Sequence, residues 1–160
     1  MPSRRIEDLH PKAQQLARML LADCESKLGV TFLITSTLRL FEEQAALYAI
    51  GRTEQLGRAP VTKSKPGHSW HEYGLAFDGV PLIGGKAVYT DDKLFDEIGG
   101  LGQEIGLRWG GDAGFVAAHM VDKPHFQYNC GMTTDDALAL YQNGGMAAVW
   151  AEIDRRDSEN

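Results

Sequence analysis

The chain has 160 residues, a length that suits one domain built on a single hydrophobic core. Hydrophobic residues make up 43% and charged residues 24%, which excludes a disordered or fibrous chain. The net charge is −6, and Lys and Arg do not cluster beyond the pairs Arg4-Arg5 and Arg155-Arg156, so nucleic acid is not an expected partner.

The two cysteines, Cys24 and Cys130, are too few for a disulfide framework and form no Cys-x-x-Cys pair. We predict that both are reduced and structural. The N-terminus lacks an apolar run of signal-peptide length, and no segment approaches the roughly 20 apolar residues of a membrane span. The expectation is a monomer without a membrane partner that stays in the cytoplasm of the producing cell until something else releases it.

Apolar spacing predicts the first elements in chain order. A stripe of apolar residues from Leu9 to Leu28 predicts a helix that ends at Gly29. The β-branched, apolar segment 30–35 predicts a strand, and a second helix is predicted at 41–50. Residues 51–68 contain three Gly and two Pro, which predicts a long and functional loop.

The rest of the chain alternates short strands and helices. The predicted elements are strands at 75–78 and 80–83, a turn at Gly84-Gly85 with a returning strand at 86–89, a helix at 94–105, short strands at 107–109 and 125–128, and a terminal helix at 137–150 weakened by Gly144-Gly145. This order predicts an α+β fold, with a small antiparallel sheet flanked by helices, in one domain over residues 1–160.

Two histidines and one aspartate carry the chemistry. A catalytic zinc site needs three protein ligands and one position left open for water. His71 and Asp78 lie seven positions apart with Gly74 between them, which allows a sharp turn, and His125 lies in a later segment. Imidazole nitrogen and carboxylate oxygen suit zinc, although the set also accepts other divalent ions. We predict that His71, Asp78 and His125 bind one ion at the sheet.

Asp122 lies three residues before His125, with Pro124 fixing the backbone between them. A carboxylate there can face the same ion without binding it, the place for a general base. An isolated His is usually only a polar or core side chain, and we predict that His68 and His119 are not ligands.

Two segments resemble a known family. The motif Ser69-x-His71-x-x-Gly74-x-Ala76-x-Asp78, followed by Asp122-x-Pro124-His125-Phe126, resembles the D-alanyl-D-alanine carboxypeptidase family of metallopeptidases. Within it, the pattern is similar to the L-alanyl-D-glutamate endopeptidases of phage endolysins. The blocks that begin at Arg39 and Trp109 extend the resemblance over residues 30–128.

The resemblance implies a role for each matching residue. It implies Zn2+ ligation by His71, Asp78 and His125, acid and base chemistry by Asp122, and substrate contact or oxyanion stabilisation by Arg39. Support of the ligands or contact with substrate is expected for a further group: Ser69, Gln44 and Trp109.

Structural alternatives stand beside these roles. Arg39 without the resemblance is better explained as an ion-pair partner of Glu42 or Glu43. Gln44 can be a helix-face residue, and Ser69 can cap a turn. Trp109 is more often a core aromatic than a substrate platform.

The chain departs from the family near the cleft. Leu40 stands where relatives have Ser or Thr and cannot cap the following helix, so Thr37 or water is expected to serve its backbone donors. The stretch between Trp109 and Asp122 is also longer than in relatives.

The leading hypothesis is a zinc-dependent peptidoglycan endopeptidase, an endolysin without a separate wall-binding domain, that cuts the L-Ala–D-Glu bond of stem peptides. The alternatives are a D,D-carboxypeptidase or dipeptidase acting on D-Ala-D-Ala, and a zinc-binding module without turnover. The presence of Asp122 argues against the last, since a pure binder has no need of a base.

Overall fold

A five-stranded antiparallel sheet lies at the centre of the fold, in a computed structural model that describes residues 1–160. The strands are β1 (Thr31–Ser36), β2 (Ala76–Ile83), β3 (Lys86–Ala87), β4 (Arg108–Trp109) and β5 (His125–Gln127). Their order is β1-β2-β5-β4, and β3 pairs with β2 at one end. The prediction of an α+β fold with a small antiparallel sheet flanked by helices is confirmed.

Five helices surround this sheet: α1 (Pro11–Asp23), α2 (Phe41–Ala49), α3 (Asp92–Glu104), α4 (Ala113–Ala118) and α5 (Thr134–Ser158). A wider π turn, Cys24–Leu28, extends α1 to Gly29, whose φ of 65° ends the helix as predicted. None of the helices combines the length and the apolar composition that a membrane crossing needs.

The main core lies between one face of the sheet and helices α1 and α3. Leu16 and Leu20 of α1 are buried against Phe32 of β1 and Phe126 of β5. Cys24 belongs to the same core and is 0% exposed. Burial, with added repulsion from Asp23 and Glu25, raises the pKa of the Cys24 thiol to about 12.

A second core supports the segment that precedes β2. Val149 and Ile153 of α5 pack beneath Trp70 and Tyr73, and the Trp150 Nε1–H donates to the Tyr73 carbonyl at 2.7 Å. This cluster gives the loop around residue 70 a rigid base, although the loop contains little regular structure.

Three elements differ from the predictions. Helix α5 runs from Thr134 to Ser158 and is longer than predicted, because the chain bends at Gly145 (φ 69°, ψ −165°) and then continues as a helix. The returning strand is only Lys86–Ala87. Helix α4 was not predicted, because six residues that bury only Phe115 leave no apolar period to detect.

Candidate metal centre and cleft

His71 lies on a short 3-10 turn, Trp70–Tyr73, that ends at Gly74. Gly74 has a φ of 66°, the sharp turn that the sequence predicted. The His71 Nδ1 lies 2.8 Å from the backbone carbonyl of Thr37, which can only accept, so Nδ1 carries the proton and donates. The Nε2 lone pair of His71 therefore faces the centre.

Asp78 lies on β2, the strand between β1 and β5, and is directly opposite His125 of β5. Its Oδ1 lies 3.3 Å from His71 Nε2 and 3.2 Å from His125 Nδ1. Burial alone would raise the pKa of Asp78, but attraction to His71 and the hydrogen bond with His125 outweigh it and hold the pKa well below its usual range.

His125 faces the centre with its other ring nitrogen. Its Nδ1 lies towards Asp78, and its Nε2 lies 2.8 Å from the side-chain oxygen of Gln127. Burial would lower the pKa of His125, but the adjacent Asp78 and the charge of Asp122 overcome this and raise it.

The ligand atoms of His71, Asp78 and His125 lie within 4.8 Å of one another. One carboxylate oxygen and two imidazole nitrogens therefore converge from a loop and two adjacent strands. This donor set suits zinc. Each imidazole has its second nitrogen held by a hydrogen bond, as in metal sites. The residues present fit a divalent ion.

Asp122 lies on the loop before β5 and lines the same cleft. Its N–H donates to the Gly110 carbonyl at 3.0 Å, and its own carbonyl accepts from the His125 N–H at 3.0 Å. These bonds fix Asp122 in position relative to His125.

The residue Asp122 as a whole is exposed, but its carboxyl group faces a crowded part of the cleft. Burial there raises the pKa of Asp122, and the negative charge of Asp78 adds to the increase. The charges of His125, His71 and Arg39 act in the opposite direction. A carboxyl group with a raised pKa beside a metal-ligand set is suited to proton transfer.

The cleft has a volume of about 460 Å³. The structure brings four predicted residues to it besides the ligand set: Arg39, Ser69, Asp122 and, by contact with Arg39, Gln44. The lining also includes Lys63, from the loop between α2 and β2, and three apolar side chains from α4 and the loop that follows it: Phe115, Met120 and Val121. Arg39 and Lys63 are its only Arg and Lys residues.

Arg39 is held by Gln44. The Arg39 Nη1–H donates to Gln44 Oε1 at 2.9 Å, and the Gln44 Nε2–H donates to the Ser64 carbonyl at 2.7 Å. The Arg39 Nε is buried with no hydrogen-bond partner in the chain. An ion pair with Glu42 or Glu43 is not formed, since Glu43 instead pairs with the N-terminal amine and accepts from the Leu40 N–H.

Of the two groups expected to serve the backbone donors of the second helix, Thr37 or water, Thr37 does not do so. Thr37 donates its hydroxyl to the Arg5 carbonyl at 2.9 Å, which joins the strand end to the N-terminal segment. The Glu43 carboxylate, rather than Thr37, accepts from the Leu40 N–H at 2.9 Å.

Ser69 precedes the turn that carries His71, and its side chain makes no capping hydrogen bond. It is 8% exposed and lines the cleft. The alternative that Ser69 caps this turn through its side chain is therefore not supported.

Trp109 does not line the cleft. Its ring packs so closely on Gly99 and Gly111 that a Cβ at either position would lie 2.3 Å from it. The Trp109 Nε1–H donates to the Lys123 carbonyl at 2.8 Å, so this core aromatic supports the loop that carries Asp122.

His68 and His119 both line the cleft but lie outside the group whose ligand atoms converge. His68 contacts Thr134, with 3.2 Å between its Nδ1 and the hydroxyl oxygen. Burial and the charges of Arg108, His125 and Lys63 lower the pKa of His119.

Glu72 was missed by the sequence analysis. It is 1% exposed, and its carboxylate accepts from the Gly67 N–H at 2.9 Å and the Ser69 N–H at 3.0 Å. Burial raises the pKa of Glu72, while these two N–H groups and the charge of Arg39 oppose the increase. The spacing Ser69-x-x-Glu72 is the signal that could have revealed it, since it is the capping-box pattern.

Gln127 was also missed. It is 3% exposed and contacts the ring of His125. Residues two apart on a strand lie on the same face, so the position of Gln127 two residues after a predicted ligand was the available signal.

Comparisons with known proteins agree with this site. The family model described as D-alanyl-D-alanine carboxypeptidase matches residues 62–128, the segment that contains all three ligand candidates and Asp122. The chain belongs to this family of metallopeptidases.

Two relatives are similar to this chain in sequence. The chain is 35% identical to the peptidoglycan L-alanyl-D-glutamate endopeptidase CwlK of Bacillus subtilis over 116 residues, which cover 66% of each protein. It is 33% identical to the L-alanyl-D-glutamate peptidase of Listeria phage A118 over 129 residues, 78% of this chain and 39% of the relative. The chain thus spans two thirds or less of the length of these relatives.

A solved structure shares the fold. The vancomycin resistance D,D-pentapeptidase VanY, crystallised as a complex with Zn(II), superposes with a TM-score of 0.59 at 15% identity. The match covers 88% of this chain and 83% of that one.

Proposed function

We propose that this protein is a zinc-dependent peptidoglycan endopeptidase that hydrolyses the L-Ala–D-Glu bond of stem peptides. The observation that carries the proposal is the convergence of His71, Asp78 and His125 within 4.8 Å in a cleft that Asp122 also lines. Two relatives at or above 33% identity are named for cleavage of this bond, which supports the choice of substrate.

Zinc is proposed as the ion, with His71 Nε2, an Asp78 oxygen and His125 Nδ1 as ligands. The donor set supports this choice, and so does the presence of Zn(II) in the VanY structure. When bound, zinc supplies Lewis acidity and lowers the pKa of a water molecule to roughly 7, so that a nucleophile is available near neutral pH.

Asp122 is proposed as the general base and acid. Its carboxylate takes the proton of the attacking water and later gives it to the nitrogen of the leaving D-Glu. The burial that raises its pKa makes the protonated form accessible for the second of these transfers. The backbone bonds to Gly110 and His125 hold the carboxylate in place throughout.

Arg39 is proposed to stabilise the oxyanion that forms at the scissile carbonyl, or to hold a substrate carboxylate. Its side chain lines the cleft, and its buried Nε has no hydrogen-bond partner in the chain. Gln44 fixes the guanidinium through Nη1, and Ser69 lines the cleft close to the ligand His71. A group fixed in advance stabilises developing charge without reorganisation.

We propose a monomer as the active unit, because the ligand group and Asp122 lie together in one chain. Stem peptides are the proposed partner. Nucleic acid is not, because the net charge is −6 and the cleft contains only Arg39 and Lys63 as Lys or Arg residues.

Digestion of purified muropeptides tests the proposal. The zinc-loaded protein should release fragments with a new N-terminal D-Glu, identified by mass spectrometry, and Asp122→Asn should release them at least about 10²-fold more slowly. Release of D-Ala alone from pentapeptides would instead establish a D,D-carboxypeptidase. Intact stem peptides together with bound zinc would show a binding module, and the proposal would then be wrong.

A further inference from the structure

Gln127 and Asn129 form a hydrogen-bonded chain behind His125. The His125 Nε2 lies 2.8 Å from Gln127 Oε1, and the Gln127 Nε2–H donates to Asn129 Oδ1 at 3.2 Å. The Asn129 Nδ2–H in turn donates to the backbone carbonyl of Met132 at 2.9 Å. We call these two amides the amide relay.

The direction of the amide relay is set at its far end. A backbone carbonyl accepts hydrogen bonds and never donates, so Asn129 must present its NH2 group to Met132 and its oxygen to Gln127. Gln127 must then donate to Asn129, which leaves its own oxygen for His125. Reversing either amide would place two acceptors against each other.

The anchor of the relay is a tight turn. The Met132 N–H donates to the Asn129 carbonyl at 2.8 Å, so backbone and side-chain bonds join the same two residues in opposite directions. Cys130 and Gly131, between them, have φ values of 49° and 70°. This turn holds Asn129 and Met132 at a fixed separation.

A neutral imidazole carries one proton, on either Nδ1 or Nε2. The relay offers His125 an acceptor at Nε2, which favours a proton on Nε2 and makes Nδ1, towards Asp78, the nitrogen that loses its proton when an ion binds. His71 has the opposite arrangement, because the Thr37 carbonyl holds the proton on Nδ1. Each histidine thus has one ring nitrogen held by an acceptor outside the centre and the other directed into the centre: the Thr37 carbonyl holds Nδ1 of His71, and the amide relay holds Nε2 of His125.

We infer that Gln127, oriented by Asn129, is a positioning residue that sets the tautomer of His125 for metal binding. This inference rests on the proposed metal centre but is tested separately from the peptidase activity. Partners of this kind, in contact with a ligand rather than with the metal, typically change metal affinity by about 10- to 100-fold.

The test uses Gln127→Met, which keeps the length of the side chain and removes the acceptor. Gln127→Glu is the conservative variant that retains an acceptor for Nε2. Gln142→Met, at an exposed position on α5, is the matched control. Asn129→Leu, which breaks the relay one bond further from the histidine, serves if Gln127→Met does not fold.

Two measurements are made on the full chain: the dissociation constant of zinc by chelator competition, and the tautomer of His125 from its imidazole 15N shifts, after zinc removal and at a pH high enough for the imidazole to be neutral. Gln127→Met should weaken zinc binding about 10- to 100-fold and move the His125 proton partly to Nδ1. Gln127→Glu should restore the Nε2–H tautomer, and Gln142→Met should match the unmodified protein in both measurements. Asn129→Leu should act in the same direction as Gln127→Met with a smaller effect.

The inference is overturned if Gln127→Met, or Asn129→Leu in its place, retains the Nε2–H tautomer and binds zinc within twofold of the unmodified protein. Failure of the proposed metal centre would give a distinguishable result, because the unmodified protein itself would then bind no zinc. The 15N shifts of the variants would still decide whether the amide relay controls the tautomer.

Discussion

A side chain at Gly110 would collide with Asp122. A Cβ built on Gly110 lies 2.0 Å from the Asp122 carbonyl oxygen and 3.1 Å from the Cβ of His125. The Asp122 N–H also donates to the Gly110 carbonyl, so the two backbones are joined as well as close. The position of the proposed base therefore depends on the absence of a side chain at Gly110, twelve residues earlier in the chain.

Gly110→Ala should lower kcat by at least about tenfold, because small displacements of a catalytic group cost up to 10²-fold. The methyl group must move the Asp122 backbone, whereas His125, 3.1 Å away at its Cβ, needs to shift by only a few tenths of an ångström. Gly100→Ala is the control, since nothing lies within 4 Å of its Cβ position on α3 and alanine favours the helix. Steady-state kinetics on a soluble muropeptide measures both, and equal rates for the two variants would contradict the expected displacement.

Asp122→Asn should lower kcat by about 10²- to 10⁴-fold, the contribution of a positioned acid or base. Zinc content should stay at one ion per chain, because Asp122 lies outside the converging ligand group. Elemental analysis and muropeptide turnover on the same preparation check the two halves of this expectation. Activity that survived the substitution would remove Asp122 from its role.

Chelation should abolish activity and lower the thermal midpoint, with both restored by zinc. A ligand present at 1,000 times its dissociation constant stabilises the folded state by about 4 kcal/mol. For a chain of this size, that corresponds to a shift on the order of 10 °C. His125→Ala should lose the zinc-dependent shift, while His119→Ala should keep it, since His119 lines the cleft outside the ligand group. A shift lost equally in both variants would place the ion elsewhere.

Arg39→Lys should lower kcat/KM by about 10²- to 10³-fold, the loss expected for one oxyanion donor. Lysine keeps the charge but loses the planar fork of donors, through which Arg39 contacts Gln44. Arg58→Lys, exposed on the loop before β2, is the matched control. If zinc affinity fell along with kcat/KM, Arg39 would be supporting the ligands rather than the substrate.

The two thiols should differ in reactivity. Cys24 is 0% exposed and burial raises its pKa to about 12, whereas Cys130 is partly exposed. At pH 8 a thiol reagent should therefore modify at most one cysteine in the folded protein and both after denaturation. Peptide mapping identifies the labelled residue, and rapid labelling of Cys24 in the folded protein would show that the main core opens readily.

The regular elements with strong patterns were predictable from the sequence. The apolar stripe that ends at Gly29 predicts a helix, and the β-branched residues of β1 predict a strand, in both cases from residues close together in the sequence. Helix α4 was not predictable, because its stability depends on Asp112 accepting from the Gly114 N–H and on Phe115 packing beside the cleft. Such contacts have no period along the chain.

The sequence by itself determined the chemistry of the site: two imidazoles and a carboxylate with the types and spacing of zinc ligands, and an aspartate before the last of them. Tertiary structure decided how those groups are directed. The Thr37 carbonyl that fixes His71 is 34 residues away along the chain. His125, which contacts Asp78, lies 47 residues after Asp78. The type of a residue determines what its side chain can donate or accept, but only the fold determines which atom contacts which partner. These contacts orient His125, restrain Arg39 and require a glycine at position 110 beside Asp122.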